Sequence, residues 1–406
     1  MNIVITGATG FVGNLIVPRL VEKKHKLLLV SRNRCKLERH FPGIDCTDYE
    51  ALDINIAKFD MVLHLATINS NNHSERTASQ SVNVDLLTQL IENARKAGVK
   101  YFVNTASTHC LDLDNKSVYA STKRQGCAVV DGLEDPNYQN IYLPMVYGSV
   151  WPHKLKFLNS LPKFIAKIIF VGLSSVKPTV NVDRLVIYIE SLVAKERVEC
   201  QKSRIILSDN IDKNIIYLIF RKALDLSFAI LTLFFCWWIL ILIWCWVKYD
   251  SPGPGVFSQP RLGKNEKQFI CYKFRTMNAG TAQKATHEIE KASITKSGAF
   301  LRRFRFDELA QVVNVLKGEV CLIGPRPCLE NQVQLVDLRR RFGVFNLTPG
   351  LTGLSQASGI DMSEPCKLAR VDAEYMALRS IALDLKILVM TVAHVVGRSR
   401  KNRSEV

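Results

Sequence analysis

Two adjacent carboxylates, Asp307 and Glu308, follow Arg302, Arg303 and Arg305 and open a helical pattern in which Leu309, Val312, Val313 and Leu316 share one face. A helix start favours carboxylates. Such a pair suits two jobs: one group holds a divalent cation or attacks, and the other positions or accepts a proton. A plain acidic pair matched to the neighbouring arginines is the alternative reading. Downstream, Arg326 stands between Pro325 and Pro327, which limits its freedom as an anion clamp requires. A Gly/Thr-rich stretch from Thr348 to Gly359 offers donors for phosphate or sugar, Thr352 and Gln356 among them. Upstream, the alternating run Phe269–Thr276 reads as a strand with Lys273 and Arg275 on one face, a density of charge suited to phosphate oxygens.

A second constellation lies near the N-terminus. A β-branched run, Asn2–Thr6, leads into Gly7-Ala-Thr9-Gly10-Phe11-Val12-Gly13 and then a helical pattern. In that order glycines permit a tight turn and close backbone approach, and the helix N-terminus faces a pyrophosphate. The next strand, Lys26–Val30, ends at Ser31-Arg32 where an acidic residue would hold ribose hydroxyls. Ser31 and Arg32 suit a 2′-phosphate instead, so the expected cofactor is NADP, with NAD as the alternative. Tyr119 and Lys123 are four residues apart on one helical face. Beside a nicotinamide, the lysine would lower the tyrosine pKa and let the hydroxyl pass a proton.

The most apolar stretch is Leu226–Val247, without a charged residue. As a helix it is about 33 Å long at ~1.5 Å per residue, one hydrocarbon core. Basic residues flank both ends (Arg221 and Lys222, then Lys248). Positive charge at both flanks places both on the cytosolic side, so the run is expected to enter and leave by one face as a bent re-entrant hairpin turning near Trp237-Trp238. The chain has 406 residues, room for two or three domains, and a formal net charge of +17. That charge calls for an acidic partner. No nucleic-acid recognition motif is present, so the partners are phosphate-bearing substrates and an anionic membrane lipid surface. The 11 cysteines form no CxxC pairs or His/Cys clusters, which fits a reducing compartment. The N-terminus reads directly as strand and turn, without a signal peptide.

Residues 1–208 resemble the extended short-chain dehydrogenase/reductase family of nucleotide-sugar epimerases, dehydratases and keto reductases. The resemblance rests on GATGFVG, HLAT, Ser107 with Tyr119 and Lys123, LPMVYG and PTVNVDRL. It implies that Leu65 and Ala66 wall the cofactor, that Gly7, Thr9, Gly10, Phe11, Val12 and Gly13 cradle it, and that Ser107, Tyr119 and Lys123 are catalytic. Leu143 departs from an arginine usual before the proline, and the substrate lobe after Gly148 is short. A non-catalytic nucleotide-binding regulatory or scaffolding module is therefore the alternative.

The segment 220–396 resembles the monotopic phosphoglycosyl transferases, the bacterial sugar transferase family. It carries KALD, DSPGPGVFSQPRLGKN, YKFRTM, the FDELAQVVNVLKGEVCLIGPRP run, TPGLTGLSQASG and LDLKIL. That resemblance implies transfer of a sugar phosphate from a UDP-sugar to polyprenyl (undecaprenyl) phosphate with release of UMP. Asp307 would be the nucleophile and Mg²⁺ ligand, and Glu308 its partner for proton handling. Arg326, Lys273 and Arg275 would contact phosphate. Two departures are Trp237-Trp238 where the family has Ser-Pro, and Ile360 where it has Arg. The fold expected is α/β: a Rossmann-type doubly wound parallel sheet (1–208), a linker (209–220), a re-entrant membrane helix (221–250) and a small α+β transferase domain (251–406). The expected location is the cytosolic face of a bacterial inner membrane, and a second copy of the chain is counted among the candidate partners.

Overall fold

A computed structural model describes residues 1–68, 76–112, 114–194, 204–278 and 293–401. The chain separates into two compact units, residues 1–170 with 178–210, and residues 171–177 with 211–406.

The first unit is built on a seven-stranded sheet. Its strands are β1 (Asn2–Thr6), β2 (Lys26–Val30), β3 (Asp45–Thr47), β4 (Met61–His64), β5 (Tyr101–Ser107), β6 (Tyr138–Leu143) and, beyond the short strands β7 (Met145–Tyr147) and β8 (Thr179–Asn181), β9 (Ile205–Ile206). The order is β3-β2-β1-β4-β5-β6-β9, and every pairing in it is parallel. Strands buried on both faces must be apolar on both, and these are. Ile3 and Ile5 pack on one side with Leu15, Ile16 and Leu185; Val4 packs on the other with Leu87, Leu90 and Ile91. The connections reverse direction between β1 and β4, and a ligand crevice opens at such a switch point. The doubly wound sheet expected of this half is the one observed.

The second unit is a mixture of short strands and helices. Strands β10 (Val256–Leu262) and β11 (Gln268–Phe274) form an antiparallel hairpin, and β12 (Cys321–Ile323) pairs parallel with β13 (Gly350–Thr352). The apolar run forms two helices, Ile215–Phe235 and Trp237–Asp250, bent by 70° at Cys236. Among the described residues no single helix is long and apolar enough to cross a membrane. The bend needs no proline. Cys236 leaves helical geometry at φ −114° and ψ 8°, yet its N–H still donates to Thr232 O and its carbonyl accepts from Leu240 N. Both backbone polar groups of the residue at the break are therefore satisfied. Phe234, Phe235, Trp237 and Trp238 remain exposed around it, an apolar tip suited to lipid and not to water. The helix begins at Ile215, so the second half of the stretch expected as linker is its first turns.

Both arms of the bent helix grip the segment that carries the acidic pair. Ala229 of the first arm packs with Val312 and Val315. Ile243 and Val247 of the second pack with Phe274 and Leu301, against partly buried Leu309 and Ala310.

Candidate functional sites

The acidic pair sits on a 3-10 turn, Phe306–Gln311, which continues into the helix Val312–Leu316. The preceding helix, Lys296–Phe304, is capped by Thr295 and ends at Arg305 in the left-handed region (φ 59°), turning the chain so that Asp307 and Glu308 face β11. Asn314, fully buried, fastens this segment to the strand. It accepts from Tyr272 N at 3.1 Å and donates to Ile270 O at 2.7 Å. That stitch brings Lys273 to Glu308.

Lys273 Nζ lies 2.9 Å and Arg326 Nη2 3.3 Å from Glu308 Oε1. Burial alone would raise Glu308, but Lys273, Arg326 and Arg305 outweigh it and hold the carboxyl at about 2. Asp307 moves the other way: burial and the neighbouring Glu308 charge raise it, against Lys273 and Arg326. Glu308 is thus ionised and occupied with two cations. The proton-handling role expected of it requires those cations to move first.

The pocket beside the pair is lined by Lys273, Glu308, Arg326 and Gln356, and by Arg261 and Gln311, which the sequence did not single out. Backbone anchors hold Arg326. Arg339 Nη1 donates to Arg326 O at 2.7 Å, Arg261 Nη1 to Pro327 O at 3.2 Å, and Gly350 N to Pro325 O at 2.9 Å. Arg339 is itself buried in an ion pair with Asp372 at 2.6 Å, and Ser355 Oγ donates to the same carboxylate. A Cβ at Gly350 would lie 2.0 Å from Gly324 N, so only glycine permits this crossing of β12 and β13. Gln356 Nε2 donates to Leu351 O while its buried Oε1 has no partner among the described residues, an acceptor available to a ligand.

Two expected phosphate contacts go elsewhere. Arg275 lies past the end of β11 and turns inward, where its Nη2 caps the second arm of the bent helix through Ser251 O (2.6 Å), Ser251 Oγ (2.9 Å) and Val247 O (3.4 Å). Thr352 is buried with its hydroxyl 2.7 Å from that of Thr391. Neither lines the pocket.

No group of three or more His, Cys, Asp or Glu side chains that would cage a metal exists among the described residues. Mg²⁺ typically takes one or two carboxylates plus substrate phosphates, so Asp307 beside a diphosphate fits it without such a cage.

In the first unit the glycine turn has the expected geometry at the switch point. Gly7 has φ +73°, and a Cβ there would meet Ala66 N at 2.5 Å; a Cβ at Gly13 would meet Ala8 O at 2.2 Å. Gly10 precedes the helix Phe11–Glu22 without a side-chain cap, leaving N–H groups, Val12's included, for an anion. Thr9 O is held by Asn14 Nδ2. Leu65 is buried beside Ala66 after β4. Ser31 and exposed Arg32 follow β2. These residues fit a dinucleotide.

Ser107 ends β5, and the helix Val118–Asp131 carries Tyr119 and Lys123. The Ser107 and Thr67 hydroxyls lie close enough to the Tyr119 phenol to favour its ionised form, so three hydroxyls gather here. Thr67 was missed in the sequence although it belongs to HLAT. Its own hydroxyl donates to buried Asn83. Lys123 is buried, its Nζ donating to Thr105 O at 3.2 Å. The expected lowering of Tyr119 does not occur. Burial first, then Cys110, pushes the phenol up to about 12, outweighing Ser107 and Thr67. Burial in turn lowers Lys123.

Comparison with known proteins agrees with this division. Residues 216–398 match the family model described as bacterial sugar transferase, and residues 3–168 that of the NAD dependent epimerase/dehydratase family. The chain is 34% identical over 195 residues to the UDP-glucose:undecaprenyl-phosphate glucose-1-phosphate transferase of Xanthomonas campestris pv. campestris, a match covering 45% of this chain and 40% of that one. It is 34% identical over 179 residues to the uncharacterized sugar transferase EpsL of Bacillus subtilis (strain 168), covering 44% of this chain and 88% of that protein. Among solved structures, the UDP-N-acetylglucosamine 4-epimerase from Bacillus cereus aligns with 52% of this chain and 76% of its own at 12% identity and a TM-score of 0.39. The chain thus spans less than half of the Xanthomonas relative but most of the Bacillus subtilis one. It belongs to the bacterial sugar transferase family, with its transferase domain joined to an N-terminal domain of the NAD dependent epimerase/dehydratase type.

Proposed function

We propose that the second unit transfers a sugar phosphate from a UDP-sugar to polyprenyl phosphate and releases UMP. The carrying observation is that Lys273 and Arg326 converge on Glu308, next to Asp307, and that the segment bearing this acidic pair is gripped by both arms of the bent apolar helix. Two anions must meet for this reaction, and a polyprenyl phosphate keeps its tail in lipid. A cationic pocket held against a membrane element meets both demands.

The steps follow from the side chains. Phosphates of the sugar nucleotide draw Lys273 and Arg326 from Glu308, which strengthens both contacts in a dry site. Asp307, made more basic by burial, attacks the β-phosphorus. The bond from that phosphorus to the bridging oxygen breaks, and UMP leaves with its electrons. The phosphosugar stays on the Asp307 carboxylate until an oxygen of polyprenyl phosphate attacks the same phosphorus and frees the aspartate. Asp307 would also hold Mg²⁺, whose contribution is to neutralise diphosphate charge. Incubating the full chain with UDP-sugar, polyprenyl phosphate and Mg²⁺ should release UMP. Wild-type rates in Asp307→Ala would sink the assignment.

The Xanthomonas relative, named for undecaprenyl phosphate, supports the acceptor. The bent helix supports a monotopic placement with both flanks on the cytosolic face. For the first unit the reading is an NAD(P)-dependent 4-keto reductase or 4-epimerase that makes the UDP-sugar, its nicotinamide supplying or accepting hydride. The convergence of Ser107, Thr67 and Tyr119 supports it, and Arg32 favours NADP. A nucleotide-binding regulatory module is the second reading, because Leu143 stands where the resemblance calls for arginine and the segment after Gly148 is short. A keto-sugar assay comparing Tyr119→Phe with wild type separates them: catalysis predicts loss in the variant, and regulation predicts no turnover in either.

A further inference from the structure

A second cleft in the C-terminal unit has a volume of about 660 Å³ and is not lined by Asp307, Glu308, Lys273 or Arg326. One wall is the first arm of the bent helix, from Tyr217 to Ala229. The other includes Val315–Gly318, at the end of the helix that follows the acidic pair. Its lining divides by chemistry. Leu218, Leu226 and Leu316 are 40%, 50% and 53% exposed, an apolar strip that water disfavours and lipid does not. Five basic side chains stand against only two carboxylates, Asp212 and Asp225.

Most of the charge on the cleft's inner side is already committed. Arg221 is bonded to Asp384, Tyr375 and Ile323 O; Arg379 clamps Asp212; Asp225 accepts from Leu322 N. Lys222, Lys264 and Lys317 are the remainder, and none has a carboxylate within 4.0 Å among the described residues. Lys317 instead stacks on Tyr272, at 5.2 Å from the ring centroid. A cleft that sets ammonium groups beside exposed leucines, with Lys222 between Leu218 and Leu226 on one helical face and Lys317 next to Leu316, matches one ligand chemistry: a phosphate attached to a hydrocarbon chain. A free phosphate would leave the strip bare, and a neutral lipid would leave the lysines unpaired.

We infer that this cleft is a lipid-phosphate site separate from the acidic pair, with the phosphate taken by Lys222, Lys264 and Lys317 and the chain laid along Leu218, Leu226 and Leu316. It rests on the membrane placement proposed above. Two sources share this chemistry, an anionic phospholipid and a second molecule of polyprenyl phosphate.

The test uses the full chain in phosphatidylcholine nanodiscs doped with either phosphatidylglycerol or polyprenyl phosphate, read by native mass spectrometry. The expected result is retention of one lipid phosphate. Retention should fall about tenfold in the double variant Lys222→Glu/Lys317→Glu. It should also fall in Leu316→Trp, which fills the cleft and keeps its charge. The dopant retained identifies the source. Retention of phosphatidylcholine in equal amount, or retention unchanged in both variants, overturns the inference. UMP release is measured in parallel with Asp307→Ala. That variant should keep the lipid and lose release, so failure of the transferase reading and failure of the lipid site give different results.

Discussion

Arg339→Met is the sharpest structural perturbation. Arg339 and Asp372 are each 2% exposed at the side chain, with contacts of 2.6 and 3.1 Å between them. Arg339 also holds Arg326 O, and Ser355 holds the other Asp372 oxygen. Methionine fills the stem volume but leaves a buried carboxylate with one hydroxyl as partner. Breaking a buried pair from one side costs about 3–5 kcal/mol. For a domain of this size each kcal/mol lowers Tm by about 2–4 °C, so the fall expected is roughly 6–20 °C. Removing both charges in Arg339→Met/Asp372→Leu should recover most of it, because the uncompensated ion is gone. Thermal unfolding in detergent, followed by a thiol-reactive dye on the buried cysteines, gives the cycle. A single-variant loss under about 1 kcal/mol, or a double variant less stable than Arg339→Met, would refute the reasoning. Because Arg326 hangs from Arg339, Arg339→Lys is expected to retain the fold better than it retains UMP release.

Other perturbations test separate parts. Glu308 has a folded value of about 2 against an ordinary 4.5, worth roughly 3 kcal/mol. A depressed carboxylate stabilises above its unfolded pKa, so this contribution is full above about pH 4.5 and lost as pH falls toward about 2; Asp307, which is raised, acts with the opposite sign. Glu308→Gln should flatten that acid limb in melts taken across the range, and an unchanged limb would contradict the ion-pair cluster. Arg275→Met should loosen the end of the second helical arm and speed proteolysis near Ser251, with little change in substrate KM; a KM effect alone would return Arg275 to the pocket. For topology, single cysteines placed before Leu226 and after Asp250 should react with impermeant reagent from the cytosolic side only, and periplasmic labelling of the second would remove the re-entrant reading.

How far the sequence spoke depended on whether a signal was local. The glycine turn was legible because Gly7 and Gly13 answer backbone approaches within a few residues or across one strand. The acidic pair was legible from residue type alone. What periodicity could not supply was the destination of a long side chain. Lys273 and Arg275 share an alternation, yet the strand ends at Phe274 and Arg275 turns to a helix end instead. Arg261, Arg339 and Asp372 come from distant segments and meet Arg326 only through the fold. Thr352 read as a loop donor because nothing in its neighbourhood announces Thr391. The bend at Cys236 was legible by a different route, from the demand that both flanks share one side, since no proline marks it.

The covalent role of Asp307 is the central claim, and intact-protein mass spectrometry tests it most directly. The full chain, given UDP-sugar and Mg²⁺ without lipid acceptor, should gain the mass of one sugar phosphate on the peptide containing Asp307. It should release one UMP per chain, and added polyprenyl phosphate should discharge the adduct. No adduct together with full-rate transfer, or an adduct that persists in Asp307→Asn, would contradict the account.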